Sequence, residues 1–112
     1  MAQVQAGTES STTYGHLDIM GVPHSGYISS ASGFVLCNGE KILIDDDITY
    51  IYPHPHQIVH GEPTAYSSHS FHLQGNSHVT IDGKNVVCVG AGCKEDANHK
   101  VINSTCHITF EV

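Results

Sequence analysis

Ten histidines and four cysteines in 112 residues are the groups of this chain best suited to chemistry. A neutral imidazole is the commonest protein ligand for a metal, and a thiolate is a soft partner for it. Five positions stand out. His24 and His69 each precede a serine, in His24-Ser25-Gly26 and His69-Ser70-Phe71, and each leads into a repeated unit. His54 and His56 alternate with prolines in Pro53-His54-Pro55-His56, and Cys93 lies between Gly92 and Lys94 in a polar stretch. Three imidazole nitrogens and one sulfur would make a closed tetrahedral set, the pattern of structural zinc. Such a site organises loops rather than activating water, and it contributes on the order of 10 kcal/mol to folding. There is no Cys-x-x-Cys, so the set must be gathered by the fold and not by local spacing. Cys37, Cys88 and Cys106 sit among apolar neighbours and read as small core residues. His78 and His107 lie within strands, while His16, His60, His72 and His99 are not assigned to the set.

An internal repeat must do the gathering. Ser32 to Ile44 aligns with Asn76 to Cys88 at a constant offset of 44 residues, so Val35 meets Val79 and Gly39 meets Gly83. In each copy an alternating strand runs into Asn38-Gly39 or Asp82-Gly83, and a β-rich run follows. These dipeptides suit a two-residue type I′ turn, which needs positive φ at both positions. Each copy therefore reads as a β-hairpin. A truncated third copy, Asn103 to Ile108 set beside Asn76 to Ile81, closes the chain with one strand. Between the copies, Asp45 to Ser68 reads as a long loop, because Pro53, Pro55 and Pro63 argue against a helix or a central strand. Gly92 to Lys100 has room for one helical turn. The fold class expected is all-β: a small set of β-hairpins whose repeat-related loops converge at one end.

Composition sets the bounds. Eleven acidic residues against four lysines and no arginine leave a formal charge of −7, without the basic footprint that nucleic acid requires. No polybasic or amphipathic stretch suits a membrane surface, and no run approaches a spanning helix. Residues 1–14, rich in Gln, Ser, Thr and Gly, read as a flexible arm before one domain over 15–112. They lack the basic and apolar regions of a secretory signal. Synthesis in a reducing cytosol follows, where cysteines are buried or metal-bound rather than bridged.

The sequence resembles the PAAR-repeat proteins from about Gly15 to Val112. Their pattern is Gly-Ser-x-x-Val-x-x-Asn-Gly-x-x-x-Ala-x-x-Gly-Asp, preceded by His-Gly and repeated. Gly75 to Gly90 is the nearest stretch, His24 to Ser30 resembles the lead into the first repeat, and Gly92-Cys93 resembles the late cysteine after the second hairpin. The family's Pro-Ala-Ala-Arg-like stretch is Lys41 to Ile44 here, and its Gly-Asp is Asp46-Asp47. The resemblance implies a small cone of β-hairpins with pseudo-threefold internal repeats and a metal-closed tip. Its ligands would be His24, His54 or His56, His69 and Cys93, around Zn2+, with iron as the alternative. It also implies a non-enzymatic role. One such tip, a monomer on its own, would cap a trimeric spike of a type VI secretion system or contractile phage tail. It would be carried outward and would touch the target membrane transiently.

Two other readings rest on the residues alone. His54-Pro55-His56 followed by Glu62 faintly resembles the ligand motif of cupins, which would make a small metalloenzyme with open coordination positions. The spacing to Glu62 is long for it, and prolines replace the alternating strand. A metal-binding β domain without a spike partner is the third.

Overall fold

The computed structural model describes residues 3–112, and no helix is found among them. Thirteen strands follow one another: β1 (Gln3–Gln5), β2 (Thr12–Leu17), β3 (Pro23–Ser30), β4 (Leu36–Cys37), β5 (Glu40–Lys41), β6 (Ile48–His54), β7 (Gln57–Val59), β8 (Glu62–Thr64), β9 (Ser67–His72), β10 (Thr80–Ile81), β11 (Lys84–Asn85), β12 (Lys100–Val101) and β13 (Thr109–Glu111). Both expected hairpins are present, as β4–β5 and β10–β11. Their turns have φ of 54° and 78° at Asn38-Gly39, and again 54° and 78° at Asp82-Gly83. The left-handed backbone that Asn-Gly and Asp-Gly tolerate is thus the one used.

Three short segments, Ala6-Gly7-Thr8, Ile42-Leu43-Ile44 and Val86-Val87-Cys88, bond to one another in a closed ring. Gly7 N donates to Val87 O (2.8 Å), Val87 N to Leu43 O (2.9 Å) and Leu43 N to Gly7 O (2.9 Å). A second ring runs one step outward, from Glu9 N to Lys41 O, Asp45 N to Asn85 O and Val89 N to Gln5 O. Each segment then turns tightly, with Ser11 N, Asp47 N and Ala91 N donating to Thr8 O, Ile44 O and Cys88 O. The freed amides at the turn starts are capped as the local sequence permits. Ser11 Oγ accepts from Thr8 N and Asp47 Oδ2 from Ile44 N. Ala91 has no acceptor, so Asn76 Oδ1 takes Cys88 N instead. Ala6, Ile42, Val86 and Cys88 pack with Cys37 and Cys106 into one apolar cluster.

A third antiparallel strand pair joins the two ends of the described chain. β13 pairs with β1 in the register Gln5↔Thr109, matching Lys41↔Leu36 and Asn85↔Thr80 in the other two. Residues 3–14 are therefore not an arm; they supply the missing strand, one ring segment and the start of β2 (Met1 and Ala2 lie outside the described residues). The third copy also sits two residues later than the sequence alignment placed it. Ala6 N donates to Ile108 O as Val86 N does to Val79 O and Ile42 N to Val35 O, so Ile108, not Cys106, occupies the place of Val79. Cys106 is instead joined to Cys37 by a disulfide, Cα–Cα 5.7 Å. The expectation of unbridged cysteines is corrected there: the closure of the chain ends brings together two thiols that are 69 residues apart.

From the ring, β2 and β6 rise about six residues each, roughly 20 Å at strand spacing, into an antiparallel sheet of order β12-β2-β3-β6-β9. Its inner face packs Ile51 and Phe71 against Leu43, Leu73, Val87, Ala91, Cys93 and Val101. Its outer face carries Tyr14, Tyr27, Tyr50 and Tyr52. The stretch read as a long loop is thus mostly strand. Pro53 falls at the register shift between Ile51 and His54, where no ladder bond is forfeited. Pro63 lies in the separate two-stranded hairpin β7–β8, turned by His60-Gly61. Residues 92–99 form bends and turns, not a helical turn.

Candidate metal centre

Four of the sheet's strands end at the same place, and each contributes an imidazole. On β3 the alternation turns His24, Gly26 and Ile28 inward; on β9 it turns His69 and Phe71 inward. The register shift after Ile51 brings His54 back to the inner face, where it is 1% exposed. His16 is placed by a bulge at Gly15, between Tyr14 and His16. Gly15 has φ of 123°, and a side chain there would collide with the Asn98 carbonyl, so only glycine makes this turn of the strand.

His16, His54 and His69 offer one nitrogen each, all within 4.8 Å of one another. Their rings lie 4.9 Å (16–54), 4.8 Å (54–69) and 5.0 Å (16–69) apart. His54 is the hub, because His24 stacks on it at 5.1 Å and His56 lies 4.6 Å away. A tetrahedral ion with bonds of about 2.0–2.1 Å would hold its donors roughly 3.4 Å apart, closer than the widest separation in the group.

The hydrogen bonds of these rings fix their tautomers. The Tyr52 carbonyl can only accept, so His54 Nδ1 donates to it (2.8 Å) and Nε2 keeps its lone pair. That Nε2 is buried and has no partner among the described residues, which costs free energy unless an electron-pair acceptor meets it. His16 Nδ1 donates to Asp96 Oδ2 (2.7 Å), freeing its Nε2. Such a carboxylate–histidine pair is the usual outer support of a metal ligand. His24 Nε2 donates to Asp18 Oδ2 (2.7 Å) and His56 Nε2 to the Ser67 carbonyl (3.1 Å), leaving each Nδ1 free. The donor chemistry therefore fits a cation that accepts imidazole nitrogen.

Electrostatics favour the neutral form of His54 and His69, the form that ligation requires. Burial first, then the neighbouring imidazoles, hold His54 and His69 below the ordinary histidine range. His99, fully buried beneath His16, is pushed down to about 4 by burial and by His16, against the pull of Asp96. Its Nδ1 accepts the His16 backbone N–H (3.0 Å), so its Nε2 donates to Thr13 Oγ1 (2.7 Å). Thr13 passes the chain to Thr49 Oγ1 (2.7 Å), which donates to the Tyr27 carbonyl (3.0 Å). Every polar atom of that buried row is satisfied, and the row holds the backbone of His16 in place.

Of the residues expected from sequence, His24, His54, His56 and His69 are brought together. Cys93 is not part of the group. It packs in the apolar core with Ile51, Phe71 and Leu73, and Phe71 itself stands between that core and the rings of His16 and His69. Burial, then Glu95 and Asp96, push its thiol up to about 12. His16 was the residue that sequence reasoning missed. Its one signal was Gly15 inside an otherwise alternating strand, a mark of a bulge that re-aims the next side chain.

An open hollow of about 270 Å³ borders the group, lined by His16, His54 and His69 with Leu17, Asp18, Ile19, Pro55 and His56. No protein-family model matches the chain, and no curated protein or solved structure matches it.

Proposed function

We propose that this protein is a metal-stabilised, non-enzymatic tip that caps and sharpens a trimeric β-helical spike for membrane piercing. The observation that carries the reading is the pairing of two features at opposite ends of β2 and β6. At one end, three segments close rings of backbone hydrogen bonds. At the other, four imidazoles crowd around His54, whose buried Nε2 is unpartnered among the described residues. The rings support a pseudo-threefold base able to meet three identical chains. Val35, Val79 and Ile108, equivalent in the three hairpins, are 36%, 42% and 46% exposed and give that base three matched apolar contacts. The molecule is elongated, 49 × 27 × 22 Å, as a point requires.

The ligands proposed are His16, His54 and His69, with His24 and His56 beside them; Cys93 leaves the set. Zinc is the metal proposed and iron the alternative, since imidazole suits both. When bound, the ion supplies a cross-link between β2, β6 and β9. The chain's own residues set its geometry: Asp96 orients His16, the Tyr52 carbonyl orients His54, and Phe71 closes the floor. Native mass spectrometry of the protein with its spike tests the reading. One tip per three spike chains is expected; binding to single chains, or to none, refutes it.

A second reading draws on the hollow beside three imidazoles, the arrangement of metal sites that keep an open position. It would make the chain a small metalloenzyme. Metal-dependent hydrolysis of activated esters, lost in His54→Ala, would favour it.

A further inference from the structure

The turn between β2 and β3, residues 17–22, lies at the mouth of the metal hollow and has an unusual surface. Leu17, Ile19, Met20 and Val22 are 55%, 52%, 50% and 50% exposed. Four aliphatic side chains half in water within six residues are a local concentration, not the single scattered exposures ordinary on protein surfaces. The turn's one charge is withdrawn from that surface. The Asp18 side chain is only 4% exposed, and its oxygens accept from Met20 N (2.8 Å), Val22 N (3.0 Å) and His24 Nε2 (2.7 Å). Two backbone bonds, Asp18 N to Val22 O and Gly21 N to Asp18 O, close the loop, and Gly21 at φ 79° makes the bend. The aliphatic side chains are thus held outward on a rigid frame, with little ordering left to do on binding.

We infer that this turn is a wedge that enters the hydrocarbon boundary of a lipid bilayer, through Leu17, Ile19, Met20 and Val22. The inference rests on the tip reading above and names the surface that would meet the membrane. Charge decides the occupant. A partner that recognises acidic or basic groups finds none on this turn, and a chain of −7 with four lysines gains nothing from anionic headgroups. What matches an uncharged aliphatic loop is uncharged hydrocarbon, reached by apolar burial alone. Insertion is then indifferent to headgroup charge and to salt.

The chain has no tryptophan, so Met20→Trp places a single reporter at the half-exposed crest of the turn. The experiment uses the full chain loaded with metal, its metal content measured on the same sample, and vesicles of phosphatidylcholine with and without phosphatidylglycerol. The expected result is a shift of emission to shorter wavelength with both vesicles. It persists in about 1 M salt, where the screening length is about 3 Å. Adding Ile19→Ser and Val22→Ser to the reporter protein weakens vesicle binding roughly tenfold or more. Three outcomes overturn the inference: no shift in metal-loaded protein, a shift only with anionic vesicles that salt abolishes, or a shift that grows with protein concentration without vesicles, which assigns the patch to a second copy. Loaded but unresponsive protein sinks the wedge alone; protein that holds no metal and ignores its spike sinks the tip reading whatever the vesicles show.

Discussion

Acid should weaken the metal-free protein through one buried ring. His99 is neutral in the fold and hydrogen-bonded at both nitrogens, with its proton affinity pushed down from about 6.5 to about 4. The unfolded chain takes up a proton at this site below about 6.5, whereas the folded chain does so only below about 4. Stability from this group is therefore complete above pH 6.5 and is lost as pH falls toward 4. At 1.36 kcal/mol per pH unit the gap is worth on the order of 3 kcal/mol, a large share of a small domain's margin. Denaturant unfolding in excess chelator, from pH 7.5 to 4, measures it. His99→Gln does not titrate, and its amide keeps one donor and one acceptor for Thr13 and His16. It should be less stable than wild type at pH 7.5 by about 1–2 kcal/mol. Its stability should then fall by about 3 kcal/mol less on acidification. Parallel curves for the two proteins over that range would refute the buried neutral His99 and the hydrogen-bond row built on it.

Three further outcomes follow from the same geometry. Asp96→Asn, which leaves His16 without its carboxylate, should weaken metal affinity by about 10–100-fold while the fold survives, read by competitive chelator titration. Opening the Cys37–Cys106 disulfide, by reduction or by paired serine substitutions, should cost about 4 kcal/mol for its 69-residue loop; an unchanged denaturation midpoint would place the closure of the chain ends elsewhere. Gly15→Ala should destabilise by about 2–4 kcal/mol and lower metal affinity as well, because the bulge both needs positive φ and aims His16; amide exchange and metal titration read the two effects separately.

What the sequence disclosed was what is local. Asn38-Gly39 and Asp82-Gly83 announced their hairpins because a type I′ turn depends on two residues only. The inward histidines of β3 and β9 followed from their places before the repeats. What it concealed was set by distant partners. Gln3-Val4-Gln5 alternates, but its polar residues look like a free end until β13 is seen beside it, and the Cys37–Cys106 bridge depends on that same closure. Cys93 has polar neighbours in sequence, yet the Leu73↔Cys93 bridge draws it into the core, so flanking polarity misled. The prolines misled in the opposite direction, since Pro53 sits at the one point of β6 where the ladder is already broken.

Metal content by mass spectrometry on wild type, His16→Ala and Cys93→Ser, purified in parallel, tests the centre most directly. The account predicts about one ion per chain in wild type and in Cys93→Ser, and its loss in His16→Ala. Metal kept by His16→Ala and lost by Cys93→Ser, or none in wild type, would contradict it.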